Sequence, residues 1–445
     1  MQAAVDAVRL LPVRLVCFYW ICFVFPFPLD LVGLPFQLVQ PKNQPEWMKT
    51  VSEYYGKAYS RLYTTRNDAC KWVGTNVFDV KVIIQPTGSG DTMRNYVGCF
   101  CASVIAAALT LAWTVIVLCF QWFQVRWPLD RWLHRFTRVV VRFFLIQMLF
   151  GYGFAKVFPM QFAPPSAFRL TQQLGDMSPM GLLWTFMGFS DPYQMFTGAV
   201  EVLAGLLLIS RRTTLLGALM TVAAMTQIFL LNMCFDVPVK LYSFHYLVMG
   251  LFLAAPDLPR LWNAIVLGRA VEAKPYPPLF ANVWLDRFGV LFRTLLVGAW
   301  LYNQIMFGYE NWSERYGGPP APVQGQWEVI SMLIDGKEPD KGDPLNWKSI
   351  DFSNKSMARL SGPKPPMMVY KNTWNTEEKK LILGKFTTPN WSASFTYDLP
   401  QADKLELEGK MEGKAIKATL KPMPSKEYQL TTRGFNWIQE MPFNR

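Results

Sequence analysis

Of the 445 residues, 17% are charged and 51% hydrophobic, against roughly 25% charged in ordinary soluble domains, so a wholly soluble protein is excluded. The net charge of +12 divides into +10 for residues 1–308 (25 basic, 15 acidic) and +2 for 309–445 (19 basic, 17 acidic). The excess therefore sits in the apolar part. Nucleic-acid binding explains it poorly, whereas membrane topology and contact with anionic headgroups explain it well.

A helix needs about 20 mostly apolar residues to cross the hydrocarbon core, because lipid satisfies no exposed backbone amide. Seven stretches are predicted to cross: 10–28, 96–123, 139–160, 192–210, 214–235, 240–256 and 287–308. The first carries Arg9 and Arg14 ahead of its apolar run, as a signal peptide does, but PFPLDLVGLPF follows where a small-residue cleavage site would stand. It is expected to be a retained anchor. Short loops rich in Lys and Arg mark the cytoplasmic side. Arg126, Arg131, Arg135, Arg138 and Arg142 follow the second span, Arg211 and Arg212 the fourth, and Arg260, Arg269 and Lys274 the sixth. With seven spans all three loops share one side. This places the amino terminus in the cytoplasm and both the 29–95 loop and the carboxy-terminal domain outside, in a multi-pass inner (cytoplasmic) membrane protein.

The 29–95 loop has an amphipathic middle, Trp47 to Phe78, read as one or two helices lying on the membrane face or under the carboxy-terminal domain. Gly88-Ser89-Gly90-Asp91-Thr92 lacks the GK[ST] ending of a phosphate-cradling loop. It reads as an entry turn in which Asp91 or Thr92 caps the second span. Seven cysteines, at 17, 22, 70, 99, 101, 119 and 234, form no CxxC. They read as small apolar helix residues, and no covalent or metal cofactor is expected. The two histidines exclude a bis-histidine haem: His134 falls in a cytoplasmic loop and His245 near the outer face.

An ionisable group inside a bilayer costs at least about 2.5–3.5 kcal/mol, so each one is a functional hypothesis. Glu201 sits near the middle of the fourth span among small residues, FTGAVEVLAG. Lys156, Gln227, Asn232, Lys240 and His245 lie between the middle and outer end of their own spans. These six are the ligand-binding candidates, converging in one outward-facing pocket between spans three to six. Structural alternatives stay open: snorkelling for Lys156 and Lys240, packing for His245, and a bundle-holding hydrogen bond for Glu201.

The run from Gly151-Tyr152-Gly153-Phe154-Ala155-Lys156, through Glu201-Val202-Leu203-Ala204-Gly205-Leu206-Leu207-Leu208 and Arg211-Arg212, to Leu216-Gly217-Ala218 resembles the DoxX-like membrane family. The resemblance covers residues 140–260 and implies a four-helix unit with its glutamate at Glu201. The family includes small subunits of thiosulfate:quinone oxidoreductases and is similar in architecture to the helical domain of vitamin-K-dependent carboxylases. Both imply a quinone-sized ligand. Quinone, membrane lipids and an extracytoplasmic or membrane protein partner are the expected associates. The alternatives are a non-enzymatic accessory or assembly subunit, a carboxylase-like enzyme and a transporter; whether the chain is an enzyme stays open.

Residues 309–445 alternate apolar and polar. Trp391 to Leu399 puts Trp, Ala, Phe, Tyr and Leu on one face, the period of a half-buried strand. Further strands are predicted at 325–334, 346–352, 366–372, 379–386, 403–409, 413–421 and 427–433, and Met411-Glu412-Gly413-Lys414 suits a tight hairpin. Eight sequential strands predict an up-and-down barrel. Gly325-Gln326-Trp327 opening the first strand, with Arg433 ending the last, resembles the lipocalin-like (calycin) pattern, which implies that Trp327 closes the barrel base against Arg433; a β-sandwich is the alternative. The expected fold is thus an α-helical polytopic membrane protein (anchor 1–28, loop 29–95, bundle 96–308) plus an extracytoplasmic all-β barrel domain, 309–445.

Overall fold

Seven helices among the described residues are long and apolar enough to cross a membrane; the protein is a multi-pass membrane protein. The structure, a computed structural model, describes residues 9–39, 44–84, 87–123, 128–273, 282–313, 322–354, 357–362, 368–385, 391–424 and 427–441. Arg126 and Lys274 lie outside them. The main helices are α1 (Leu11–Val24), α2 (Glu46–Phe78), α3 (Met93–Trp122), α4 (Leu129–Val157), α5 (Pro179–Phe189), α6 (Asp191–Ile209), α7 (Thr214–Cys234), α8 (Lys240–Ala254) and α9 (Val283–Trp312). The spans are α1 with its continuation to Phe36, α3, α4, α6, α7, α8 with its continuation to Val266, and α9.

Each predicted span is found, with one change of consequence. α4 begins at Leu129 rather than 139, so Arg131, Arg135 and Arg138 stand on the helix with Arg142 and not in a loop. The apolar run marks where a helix enters lipid; intrahelical hydrogen bonding continues into the polar sequence before it. The 29–95 loop carries one long helix, α2, which packs against α3 around Cys70, Val82 and Val97 and through Arg94 Nε donating to Asn67 Oδ1 at 2.7 Å.

The chain divides into two compact units, Met1–Phe162 with Ser190–Asn311, and Ala163–Phe189 with Trp312–Arg445. In the helical unit the core lies where α4, α6, α7 and α8 meet, around Val141, Leu145, Leu149, Leu208, Met249 and Leu253. α6 buries Gln194, Gly198, Glu201, Ala204, Gly205 and Leu208, the one-sided spacing of a helix with a single protein-facing stripe.

In the second unit β1 (Gln326–Ile334), β2 (Ser349–Asn354), β3 (Met357–Ser361), β4 (Met368–Asn375), β5 (Lys380–Gly384), β6 (Ser392–Gln401), β7 (Lys404–Met411) and β8 (Lys414–Pro422) form a closed antiparallel barrel in chain order. β8 returns to β1 in the register Trp327↔Pro422 to Ile334↔Ile416. The interior is filled by alternate side chains such as Trp347, Phe352, Leu360, Phe395, Leu405 and Leu420, as eight strands allow. The β7–β8 turn places Glu412 (φ 54°) and Gly413 (φ 81°) in the left-handed region, the two positive φ values of a twisted two-residue hairpin.

The expected strand count is met, but one predicted strand is absent and one observed strand was not expected. β3 was not expected: MARLS is five residues long and turns only Ala358 and Leu360 inward, too short to show a period. The predicted strand 427–433 is instead an exposed segment containing a helical turn, Gln429–Thr432. The β1–β8 pairing has already closed the barrel, so no edge remains for another strand to join. Arg433 therefore lies beyond the last strand rather than at its end. Residues 163–189 also group with the barrel, the turn Ala167–Thr171 packing beside β2. Four spans separate that segment from the barrel, an even number of crossings, as two pieces on one side of a membrane require.

Candidate functional site

Two glycines bring the central pair together. A Cβ on Gly198 of α6 would lie 2.5 Å from the Gly153 carbonyl oxygen and 2.7 Å from Lys156 Cβ; a Cβ on Gly153 would lie 2.7 Å from a Val202 methyl. α4 and α6 thus touch backbone to backbone, the close approach that small residues permit between membrane helices. Lys156 lies one turn beyond Gly153, and Glu201 one turn beyond Gly198. The outcome is an ion pair: Lys156 Nζ stands 2.8 Å from Glu201 Oε1, with the two residues 6% and 2% exposed. The same ammonium reaches the Tyr152 carbonyl at 3.4 Å and lies 5.8 Å from the Tyr152 ring. Glu201 Oε2 is buried and has no hydrogen-bond partner among the described residues. A carboxylate oxygen left open beside an ammonium presents one acceptor and one donor to a third group.

The other four candidates do not join them. His245 Nδ1 donates to the Leu241 carbonyl at 2.7 Å, so Nε2 accepts from the Tyr19 hydroxyl of α1, also at 2.7 Å, while the ring stacks on Phe23 with centroids 4.2 Å apart. It is a satisfied packing histidine tying α1 to α8. Asn232 Nδ2 donates to Ser243 Oγ at 3.0 Å, stapling α7 to α8. Lys240 pairs with Asp236 at 2.8 Å and lies 3.8 Å from Asp91. Gln227 is exposed, because the buried stripe of α7 runs through Gly217, Ala218, Thr221, Met225 and Asn232 on another face. The expected convergence of six groups in one pocket is replaced by one buried pair and a set of interhelical ties.

Asp91 caps a helix, but not the expected one. Its two carboxylate oxygens accept from the backbone N–H groups of Lys240 and Leu241, each at 2.9 Å, so it caps α8, whose first amides have no intrahelical acceptor. Gly90 makes this possible, since a Cβ there would lie 2.7 Å from the Tyr242 ring. Three functional-looking groups escape sequence reading. Gln194, fully buried, accepts from Phe162 N–H at 2.9 Å and donates to its carbonyl at 3.2 Å; its spacing of four and seven residues from Gly198 and Glu201 was the available signal. Arg14, read above only as a base ahead of the first apolar run, holds Asp130 through two 2.7 Å hydrogen bonds and Thr114 through one of 2.8 Å. Tyr19 carries no signal apart from its place in an aromatic run.

No family model matches the chain, and no solved structure matches it. The uncharacterized protein YwoB of Bacillus subtilis (strain 168) is 38% identical over 118 residues, which is 26% of this chain and 73% of YwoB. At that identity, and with that share of the relative covered, the chain belongs to the same family as YwoB.

Proposed function

We propose that the protein binds the polar head of a quinone- or lipid-like ligand at Glu201 and Lys156 and acts with an extracytoplasmic redox partner. The open Glu201 Oε2 beside the Lys156 ammonium carries this reading. A hydroquinone hydroxyl donates to the first while a ring oxygen accepts from the second, and the ligand's apolar body stays in lipid. The DoxX-like resemblance, over the same helices, supports it. The extracytoplasmic partner is the proposed source or sink of the electrons. Lys156 is held in an ion pair with Glu201 and Lys240 in one with Asp236, which supports the carboxylase-like alternative less, since that alternative needs one of the two as a base. A specific observation favours a second reading, the accessory subunit: beyond β8, Phe435, Trp437, Ile438 and Met441 are each at least 78% exposed, large apolar side chains of the kind that mark an interaction surface when they gather in one patch. Extraction into nanodiscs followed by mass spectrometry separates the two. Bound quinone supports the first, and a stoichiometric protein partner with no ligand supports the second.

The proposed placement has the amino terminus in the cytoplasm and the barrel outside, resting on the basic short loops falling on one side. A fluorescent protein that matures only in the cytoplasm, fused to the carboxy terminus, is expected to stay dark. Bright full-length fusion in the membrane fraction would reverse the orientation or change the span count.

A further inference from the structure

A second cluster lies at the opposite end of the bundle from Asp91 and Lys240, and nothing above uses it. Arg138 and Arg142 stand one turn apart on α4, Arg211 lies in the 210–213 turn, and Arg293 comes from α9. Arg142 is only 8% exposed. The charges acting on it are those of Arg211, Arg293 and Arg138, all of its own sign. Its polar contact among the described residues is a long one, 3.4 Å to Thr214 Oγ1, whose own proton goes to the Ser210 carbonyl at 2.8 Å. Arg138 Nη2 donates to the Leu253 carbonyl at 2.9 Å. Three buried guanidinium nitrogens, Arg138 Nη1, Arg142 Nε and Arg293 Nε, have no acceptor among the described residues. Two acids act at the edge of the cluster rather than on Arg142: Asp257, which pairs with Arg260 at 3.5 Å, acts on Arg138, and Asp286 acts on Arg211.

A topology signal needs none of this. Bases that only mark a membrane side stand in water or snorkel to it, whereas Arg142 is enclosed and no acid pairs with it among the described residues. Burying like charges with unfilled donors is unfavourable unless an anion completes the site. The four bases are all arginine. Guanidinium forks match the several oxygens of a phosphate, which takes donors from more than one of them.

We propose that Arg138, Arg142 and Arg293, with Arg211 at the rim, form a binding site for a phosphate group. A phospholipid headgroup or a soluble phosphate supplies the same chemistry, and the test separates them. The full-length protein is held in a maltoside micelle, which contains no phosphate, and its melting midpoint is followed in three titrations: dioleoyl phosphatidylglycerol, sodium phosphate at constant ionic strength, and dioleoylglycerol, which is a lipid without the phosphate. The wild type is expected to be stabilised in the first or second titration and not in the third. A response to phosphatidylglycerol alone assigns a headgroup, and a response to inorganic phosphate assigns a soluble ligand. Arg142→Gln and Arg293→Gln are each expected to raise the half-effective concentration about tenfold, the loss of roughly one charge-assisted hydrogen bond. Arg293 is less enclosed than Arg142, so its variant keeps the test valid if Arg142→Gln does not fold. No response to either phosphate source, an equal response to dioleoylglycerol, or wild-type concentration dependence in Arg293→Gln would overturn the site.

Discussion

Glu201→Leu is expected to destabilise the helical unit by about 3–5 kcal/mol, the cost of leaving one member of a buried ion pair without its counter-charge. Lys156→Met should cost a similar amount, because Glu201 Oε1 then loses the ammonium at 2.8 Å. The double variant is the informative one. It removes both charges and fills the space with side chains of similar volume, so most of the loss should return, often to within about 1 kcal/mol of wild type. Unfolding curves in a denaturing detergent, arranged as a double-mutant cycle, measure the coupling. Additive losses would mean that the two side chains do not act on each other.

The second large effect is expected in the barrel. Trp327 is 5% exposed, packs into the core cluster and donates its Nε1–H to the Gln324 carbonyl at 2.9 Å. It also sits on the closing seam, opposite Ile350 of β2 and Pro422 of β8. Trp327→Ala should cost about 3–5 kcal/mol through lost contact and the cavity left behind. Hydrogen exchange of the β1–β8 amides in the full-length protein reads this as a fall in the free energy of barrel opening. A loss below about 1 kcal/mol would show that the ring does not hold the seam. Arg433 stands past β8, not at the end of the last strand as the lipocalin-like pattern implied.

The number of spans and the presence of a barrel were legible because each follows from a period or a length that the solvent imposes. Every backbone amide in lipid must pair within its own helix, so an apolar run of the right length has one outcome. In β6, Ala393, Phe395 and Tyr397 turn inward as alternation requires, while Leu399, formally on the same face, is 38% exposed where the strand nears its end. Pairing between distant segments was not legible. Glu201 was marked by depth and Gly198 by size, but only the contact of Gly198 with Gly153 brings Lys156 to Glu201 rather than to the headgroups. Depth alone also grouped His245, Asn232, Lys240 and Gln227 with that pair, although rotation about each helix axis sends them to four other neighbourhoods. Asp91 was readable as a cap, but the helix it caps lies about 150 residues further along the chain.

A single Glu201→Gln change is a blunt test of the ligand reading. That change alone would strand the Lys156 charge and confound loss of binding with loss of stability. Combining Glu201→Gln with Lys156→Gln keeps a hydrogen bond between α4 and α6 while removing both charges. Wild type and double variant should be extracted side by side into nanodiscs, with melting midpoint and bound quinone or lipid measured on each. The account predicts a near-unchanged melt with ligand content down by about tenfold or more, equivalent to at least 1.4 kcal/mol of binding. A double variant that retains its ligand in full would contradict the claim that this pair is a binding site.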